Sequence, residues 1–361
     1  MSAPLAPDDV VRTQAEGARN DREPLLVIEP LLAFLAAHDL EAPAELNAES
    51  IGDGHSNVTF ALSTRVVLRR PPRGPLPPSA HDVLREARLL RALEPTAVRA
   101  PKVLAECADA EVIGAPFYVM ERVAGEVITD SAPPALESEA EHRRIASELI
   151  DALVELHATD WDALTLEGFG RPTGYLERQL RRFSGLWEHN RTREVPQVAE
   201  VGRWLADNLP QADPAPPATI VHGDYRLGNV MFAADAPARL VAIFDWEMAT
   251  IGDPLADVGY LLSHWRQAGD PPARFNLQTV TEQAGFPTRR ELVELYARRS
   301  GRPVAGLDWY IVLAVWKAVI FMEGNYRRAL SGATDDPYLM TFGDGVLELA
   351  RRALDMTRDG F

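Results

Sequence analysis

Apolar residues Val27, Leu31, Leu32, Phe34 and Leu35 recur at the spacing of a helix that ends near His38. Residues 1–24 ahead of them are polar and lack a sustained apolar period, which predicts a flexible N-terminal arm. Beyond the helix the pattern shifts to short runs. Gly52-Asp53-Gly54-His55-Ser56-Asn57 precedes apolar runs at 58–62 and 66–68, which predicts an antiparallel meander. Five prolines within 71–78 remove amide donors and exclude helix or central strand there. Ser79 stands as the expected N-cap of a helix whose apolar face is Val83, Leu84, Ala87, Leu90 and Leu93. Further strand is expected at 102–106 and 116–121.

Past Gly125 the helical period dominates, with helices expected over 137–159, 175–191 and 196–209. A small β island follows at 219–221, 229–232 and 239–244, and helices resume from Pro254. The expected fold class is therefore α+β, with a β-rich N-lobe over 25–123 and a mainly helical C-lobe over 124–361. On the C-lobe segment from Trp309, the residues Trp309, Leu313, Trp316 and Ile320 read as core, with Lys317 and Glu323 on other faces.

Composition narrows the function classes. The chain has 361 residues, 37 Lys and Arg against 53 Asp and Glu, and a formal charge of −16. That balance argues against wrapping nucleic acid, which needs a surplus of cations. It leaves anionic ligands open, because a few local cations can dominate a cleft. Cys107 is the one cysteine, so no intrachain disulfide or thiolate cage can form. No apolar run reaches membrane-helix length, and Asp8, Asp9 and Glu16 oppose a signal peptide, so a cytoplasmic location is expected. No sequence feature specifies an oligomeric state.

The chemistry concentrates at His222-Gly223-Asp224-Tyr225-Arg226-Leu227-Gly228-Asn229, between two short strands. Asp224 and Asn229 have a spacing that lets a carboxylate take a hydroxyl proton while a neutral amide oxygen coordinates Mg²⁺. An Asx-turn uses the same residue types. The continuation carries more weight: Asp245-Trp246-Glu247 closes an apolar strand, where a carboxylate is costly unless it meets solvent or a cation.

The string of 222–232, then 244–262, together with 67–72, resembles the aminoglycoside phosphotransferase family of protein-kinase-like enzymes. Within it, the chain is similar to the subgroup of kinase domains attached to some acyl-CoA dehydrogenases. The resemblance covers roughly residues 27–350 and implies a bilobal kinase-like fold that binds MgATP between the lobes. It implies Asp224 as proton acceptor, with Asn229 and Asp245 as metal ligands. Arg226 is placed to steady the transferred group. Gly52, Gly54, Ser56 and Asn57 occupy the place of the phosphate-covering loop, although such a pattern also marks hairpin turns. Arg69 stands where the family carries a nucleotide-binding lysine, and Glu86 is the acid placed to pair with it. A surface arginine and a solvated helix glutamate are the alternatives, with Arg70 expected at the surface. Glu121 and Val123 fall at the hinge whose backbone would meet the adenine edge, while Met120 reads equally as core. His222 is expected to support the loop, and Asp257 to brace it from behind or simply to favour its helix dipole.

The connector from Asp245 to Pro254 is too short for a protein kinase's activation segment. The resemblance therefore implies ATP-dependent phosphorylation of a hydroxyl on a small molecule. A hydroxyacyl-CoA-like acceptor, an aminoglycoside, choline, and a nucleotide-binding pseudokinase without transfer all stay open. No nucleic-acid or membrane partner is expected.

Overall fold

A computed structural model describes residues 6–40, 48–51, 57–74, 81–210, 217–270, 278–332 and 337–359. The chain divides into two compact units. One holds residues 1–124, 164–166 and 241–247, and the other holds 125–163, 167–240 and 248–361.

In the first unit, the described residues before Val27 correct the expectation of a loose arm. β1 (Val10–Val11) pairs in parallel with β2 (Leu26–Val27), and the single turn α1 (Gln14–Gly17) lies between them. Thr13 caps α1 by accepting from the Glu16 amide, and Leu25 and Leu26 are buried. Strands of two residues have no period to read, and their order comes from long-range pairing. α2 (Ile28–Ala37) follows directly and buries Leu31 and Leu35.

The main sheet contains β3 (Glu49–Ile51), β4 (Val58–Ala61), β5 (Val66–Arg70), β6 (Val103–Cys107) and β7 (Phe117–Glu121). Their spatial order is β3-β4-β5-β7-β6, antiparallel throughout. Side chains alternate across a strand. Val66 and Leu68 therefore enter a core with Phe60, Phe117, Val119, Leu31 and Leu35, where each fully buried side chain contributes about 1.5–3 kcal/mol. Arg69 points to the opposite face, and α3 (Val83–Leu93) carries the Glu86 that meets it. α3 is capped by Asp82, whose side chain accepts from the Arg85 amide, rather than by Ser79, which lies outside the described residues.

Arg70 is not at the surface as expected. It shares the core face with Val66 and Leu68, is buried, and donates to the carbonyls of Pro71, Leu25 and Ile113. Alternation correctly separated it from Arg69. Coverage of the second face by the chain around Leu25 then turned that face inward.

The second unit is mainly helical. Its helices include α4 (Glu139–Ala158), α5 (Tyr175–Asn190) and α6 (Pro196–Asp207). Ser138 caps α4, and Ile145, Leu149, Leu153 and Leu156 form its inner stripe. β8 (Thr219–Val221), β9 (Val230–Phe232) and β10 (Leu240–Ile243) follow, and the last three residues of β10 belong to the first unit. β8 pairs antiparallel with β11 (Thr250–Gly252), a strand not expected from the sequence. β11 fills the short connector ahead of α7 (Leu255–His264). α8 (Arg289–Ser300), α9 (Leu307–Leu330) and α10 (Phe342–Asp359) complete the unit, with α9 packed on both α7 and α10. The indoles of Trp309 and Trp316 are buried and donate to the Leu205 and Val198 carbonyls, so this face of α9 is core. Lys317 and Glu323, on other faces of α9, are buried too.

Candidate active site

Two chemical clusters stand out, one in each unit. In the first unit, β5 and α3 bring Arg69 and Glu86 together, and the end of β10 adds Asp245. Arg69 Nε donates to Glu86 Oε2 at 2.9 Å and Nη2 to Asp245 Oδ1 at 2.6 Å, while Nη1 reaches Thr59 Oγ1 at 3.3 Å. The planar guanidinium satisfies two carboxylates at once, which a lysine point charge cannot do in the same geometry. The second Glu86 oxygen accepts from the Trp246 amide at 3.2 Å, and the Tyr118 hydroxyl also bonds Glu86. Burial alone would lower the Arg69 pKa, but Glu86 and Asp245 outweigh it and raise the pKa above its ordinary value. Burial likewise pushes the Glu86 carboxyl up, with Arg69 opposing.

Asp245 sits at φ 64, a left-handed conformation that Asp adopts more readily than most residues. This turn re-aims the chain directly after the apolar strand β10. Asn57 is buried, donates Nδ2 to Glu247 Oε2 at 3.1 Å, and leaves its Oδ1 buried without a hydrogen-bond partner among the described residues. Gly52, Gly54 and Ser56 lie outside the described residues.

The second cluster is the loop after β8. Asp257, fully buried in the first turn of α7, accepts from the His222 amide at 2.7 Å and from the Gly223 amide at 2.7 Å. His157 Nε2 adds a contact at 3.2 Å. A buried carboxylate that accepts backbone amides fixes the loop against the helix start. Gly223 has φ +85, and a Cβ there would sit 2.9 Å from the Met248 carbonyl oxygen, so the turn requires glycine. His222 is buried and its Nδ1 accepts from the Asp224 amide at 3.2 Å, a supporting contact of the kind expected.

Asp224 is aimed by this frame. Arg226 Nε lies 3.4 Å from its Oδ1, an oxygen that is buried without a hydrogen-bond partner among the described residues. Burial would raise the Asp224 pKa, but Arg226, a Tyr260 hydrogen bond, His264 and His222 outweigh it and hold the carboxyl below its ordinary value. His264 stacks on Tyr260 with centroids 4.4 Å apart, and burial together with Arg226 pushes its pKa down to about 4. Asn229 is buried and donates Nδ2 to the Asp224 carbonyl at 2.8 Å.

Glu121 and Val123 end and follow β7. The Glu121 amide donates to the Lys102 carbonyl at 3.0 Å and the Arg122 amide to the Arg65 carbonyl at 2.8 Å. Val123 is partly buried. Met120 is core, packed in β7. Among the described residues, no group of three or more His, Cys, Asp and Glu converges as a metal cage. Among the described residues, no helix is long and apolar enough to cross a membrane.

Sequence reasoning missed Thr59, Tyr118 and Tyr260 as partners of the charged groups. Thr59 and Tyr118 stand opposite Arg69 on neighbouring strands, a signal that needs the strand register. Tyr260 stands one turn after Asp257 on α7, so a helical reading of that face could have found it.

The phosphotransferase enzyme family matches residues 47–292. The acyl-CoA dehydrogenase family member 10 of Mus musculus is 33% identical over 315 residues, covering 85% of this chain and 29% of that protein. The chain thus spans less than a third of that relative's length. A crystal structure from Ralstonia eutropha, described as an aminoglycoside phosphotransferase, aligns with a TM-score of 0.76 at 29% identity over 92% of this chain and 98% of that one. The GDP complex of aminoglycoside 2'-phosphotransferase-IIIa, 17% identical, shares the fold with a TM-score of 0.58 over 91% of this chain and 99% of that one. The fold is kinase-like α+β, with a β-sheet N-terminal part and a helical C-terminal part, as the sequence predicts. By the family match over most of its length, the chain belongs to the phosphotransferase enzyme family.

Proposed function

We propose that this chain transfers the γ-phosphoryl group of ATP to a hydroxyl of a small molecule, with Mg²⁺ as the metal. The observation that carries this proposal is the clamped loop. Asp257 grips two successive backbone amides, and Asp224 is held ionised on that loop beside Arg226. Asp224 would accept the hydroxyl proton as the acceptor oxygen attacks phosphorus. Arg226 would then lie against the charge on the transferred group.

Arg69, oriented by Glu86, supplies the cation for the nucleotide phosphates. Gly52, Gly54, Ser56 and Asn57 would cover them, and the orphaned Asn57 Oδ1 supports a polar ligand there. The adenine edge would be met by the backbone of Glu121 and Val123. The Glu121 amide is already engaged in the sheet, which favours Val123 as the donor.

The donor set fits Mg²⁺, a hard cation that takes oxygen ligands. The Asn229 amide nitrogen is tied to the Asp224 carbonyl, which leaves its Oδ1 as the ligating atom, and Asp245 offers a carboxylate. When bound, the ion supplies charge neutralisation on the phosphates.

The acceptor's acyl character is supported by the acyl-CoA dehydrogenase naming of the relative, which favours a hydroxyacyl compound over an aminoglycoside or choline. One observation favours a second reading, a nucleotide-binding protein without transfer: Arg69 bonds the proposed metal ligand Asp245 directly. A metabolite-pool screen by mass spectrometry, with ATP and Mg²⁺ present, separates the two. Transfer predicts a phosphorylated product that disappears with Asp224→Ala. Nucleotide binding with no phosphorylated product supports the second reading.

A further inference from the structure

Only two of the chain's 37 Lys and Arg residues are lysines, Lys102 and Lys317. Lys102 is exposed, with an ion contact to Glu94 at 4.0 Å. Lys317 is buried in the middle of α9, only 8% exposed, and no carboxylate forms an ion pair with it among the described residues. Its ammonium instead lies 4.8 Å from the centroid of the Phe183 ring, on α5.

An unpaired buried cation is costly unless something compensates it. The Phe183 ring face compensates in part, by about 2 kcal/mol for a desolvated cation–π contact. The remainder calls for an anion. Lys317 lines a small cleft in the second unit, with an enclosed space of about 10 Å³, room for one water-sized group, together with Gly223, Tyr175, Tyr260, Tyr310 and Leu313. No Asp or Glu lines it. Gly223 immediately precedes Asp224, the proposed proton acceptor, whose charge is felt at Lys317.

The charges around Lys317 point the same way. Burial pushes its pKa down to about 8, Arg182 of α5 adds to this, and Asp257 of α7 and Asp224 of the loop oppose it. Tyr260 of α7 and Tyr310 of α9 line the same space. Tyr310 is already donating to Asp253 at 2.6 Å, and burial holds its pKa up. Near neutral pH Lys317 is therefore mostly a cation in a cleft of apolar and phenolic walls. A polycationic aminoglycoside would find no carboxylate in it.

We propose that Lys317 is the anion seat of the acceptor site, and that the acceptor is a small hydroxylated molecule bearing a carboxylate or phosphate. Its identity as the acceptor, rather than a bystander ligand, rests on the phosphotransferase reading above. Lys317 holds one oxygen of the anionic end, the tyrosines flank that contact, and the hydroxyl is presented at the Asp224 side. Lysine suits this seat because a compact ammonium fits among Leu313 and the tyrosines, where a guanidinium fork would need more partners.

The test uses the full chain with ADP present and reads binding by calorimetry. The probes are 3-hydroxybutyrate, 3-hydroxybutyryl-CoA, methyl 3-hydroxybutyrate and kanamycin. We expect 3-hydroxybutyrate to bind if a carboxylate fills the seat, and the CoA thioester alone if a phosphate does. Lys317→Met should weaken the bound anion at least about tenfold, the loss of one charge-assisted contact. In case that variant misfolds, reductive methylation of the wild-type protein reports the same contact. The anion should slow labelling of Lys317 and leave Lys102 unchanged.

Equal binding of the methyl ester and the acid would overturn the proposal. So would binding of kanamycin alone, silence of both anions, or undiminished Lys317 labelling. Neither readout needs phosphoryl transfer. Lys317-dependent anion binding without any ATP-dependent product upholds the seat and overturns the transferase reading, and phosphorylation of kanamycin does the converse.

Discussion

The two clusters treat a buried cation in opposite ways. Arg69 is saturated in charge, with Glu86 and Asp245 on its guanidinium and Thr59 on Nη1, while two of its five N–H donors have no bond among the described residues. Lys317 is in deficit, with an aromatic face and no carboxylate partner among the described residues. A saturated cation organises the protein around itself, and removing either acid strips hydrogen bonds from it while the other still balances its charge. A cation in deficit is stable enough to fold and gains most when a ligand arrives. Residue choice follows the same division, with a forked guanidinium where two acids must be held and a point charge where one site is left for an incoming group.

The largest predicted effect lies on the loop beside the deficit cation. Asp224→Ala should lower turnover by roughly a thousandfold, within the range for loss of a general base, while calorimetric MgATP affinity stays within about twofold of wild type. Next comes the saturated side. Glu86→Ala leaves Arg69 paired with Asp245 alone and removes the hydrogen bonds that Glu86 makes in a buried site, which should cost about 1.5–3 kcal/mol of unfolding free energy, read by urea titration. A change below about 1 kcal/mol would show that the pair adds little beyond a surface ion pair. Arg69→Lys keeps the charge but cannot fork both carboxylates, so nucleotide affinity should fall by about tenfold with a smaller loss of stability.

The smallest effects are in pH profiles. Asp224 is held below its ordinary value, so it is already ionised near neutrality, and kcat should show no acid limb above about pH 5. His264, pushed down to about 4, is neutral over the same range and adds no limb. Lys317 loses its proton as pH rises through about 8, so KM for an anionic acceptor should rise on that alkaline side. A KM that is flat to pH 9.5 would place the anion elsewhere.

Much of this was legible in the sequence, because the informative residues are local. The 222–229 loop, the acid at 245 and the brace at 257 sit at ends of strands and helices whose patterns are plain, and Glu86 follows from the α3 period. What was not legible depends on coverage and register. Arg70 is on the face that alternation assigns it, but only the chain around Leu25 makes that face interior. β1, β2 and β11 are two or three residues long and exist through their pairing. Lys317 reads as a polar position on a helix, and its burial becomes visible only when α5 and α7 close on both sides of α9.

The central claim is that Asp224 takes the proton from an acceptor hydroxyl as phosphoryl passes to it. The most direct measurement follows γ-labelled ATP with wild-type chain and with Asp224→Ala, at equal nucleotide occupancy, with an acceptor pool added or withheld. The prediction is label on an acceptor in the wild type, almost none in the variant, and little ADP formed without acceptor. Label transfer at equal rates in both proteins, or ADP release indifferent to the acceptor, would contradict it.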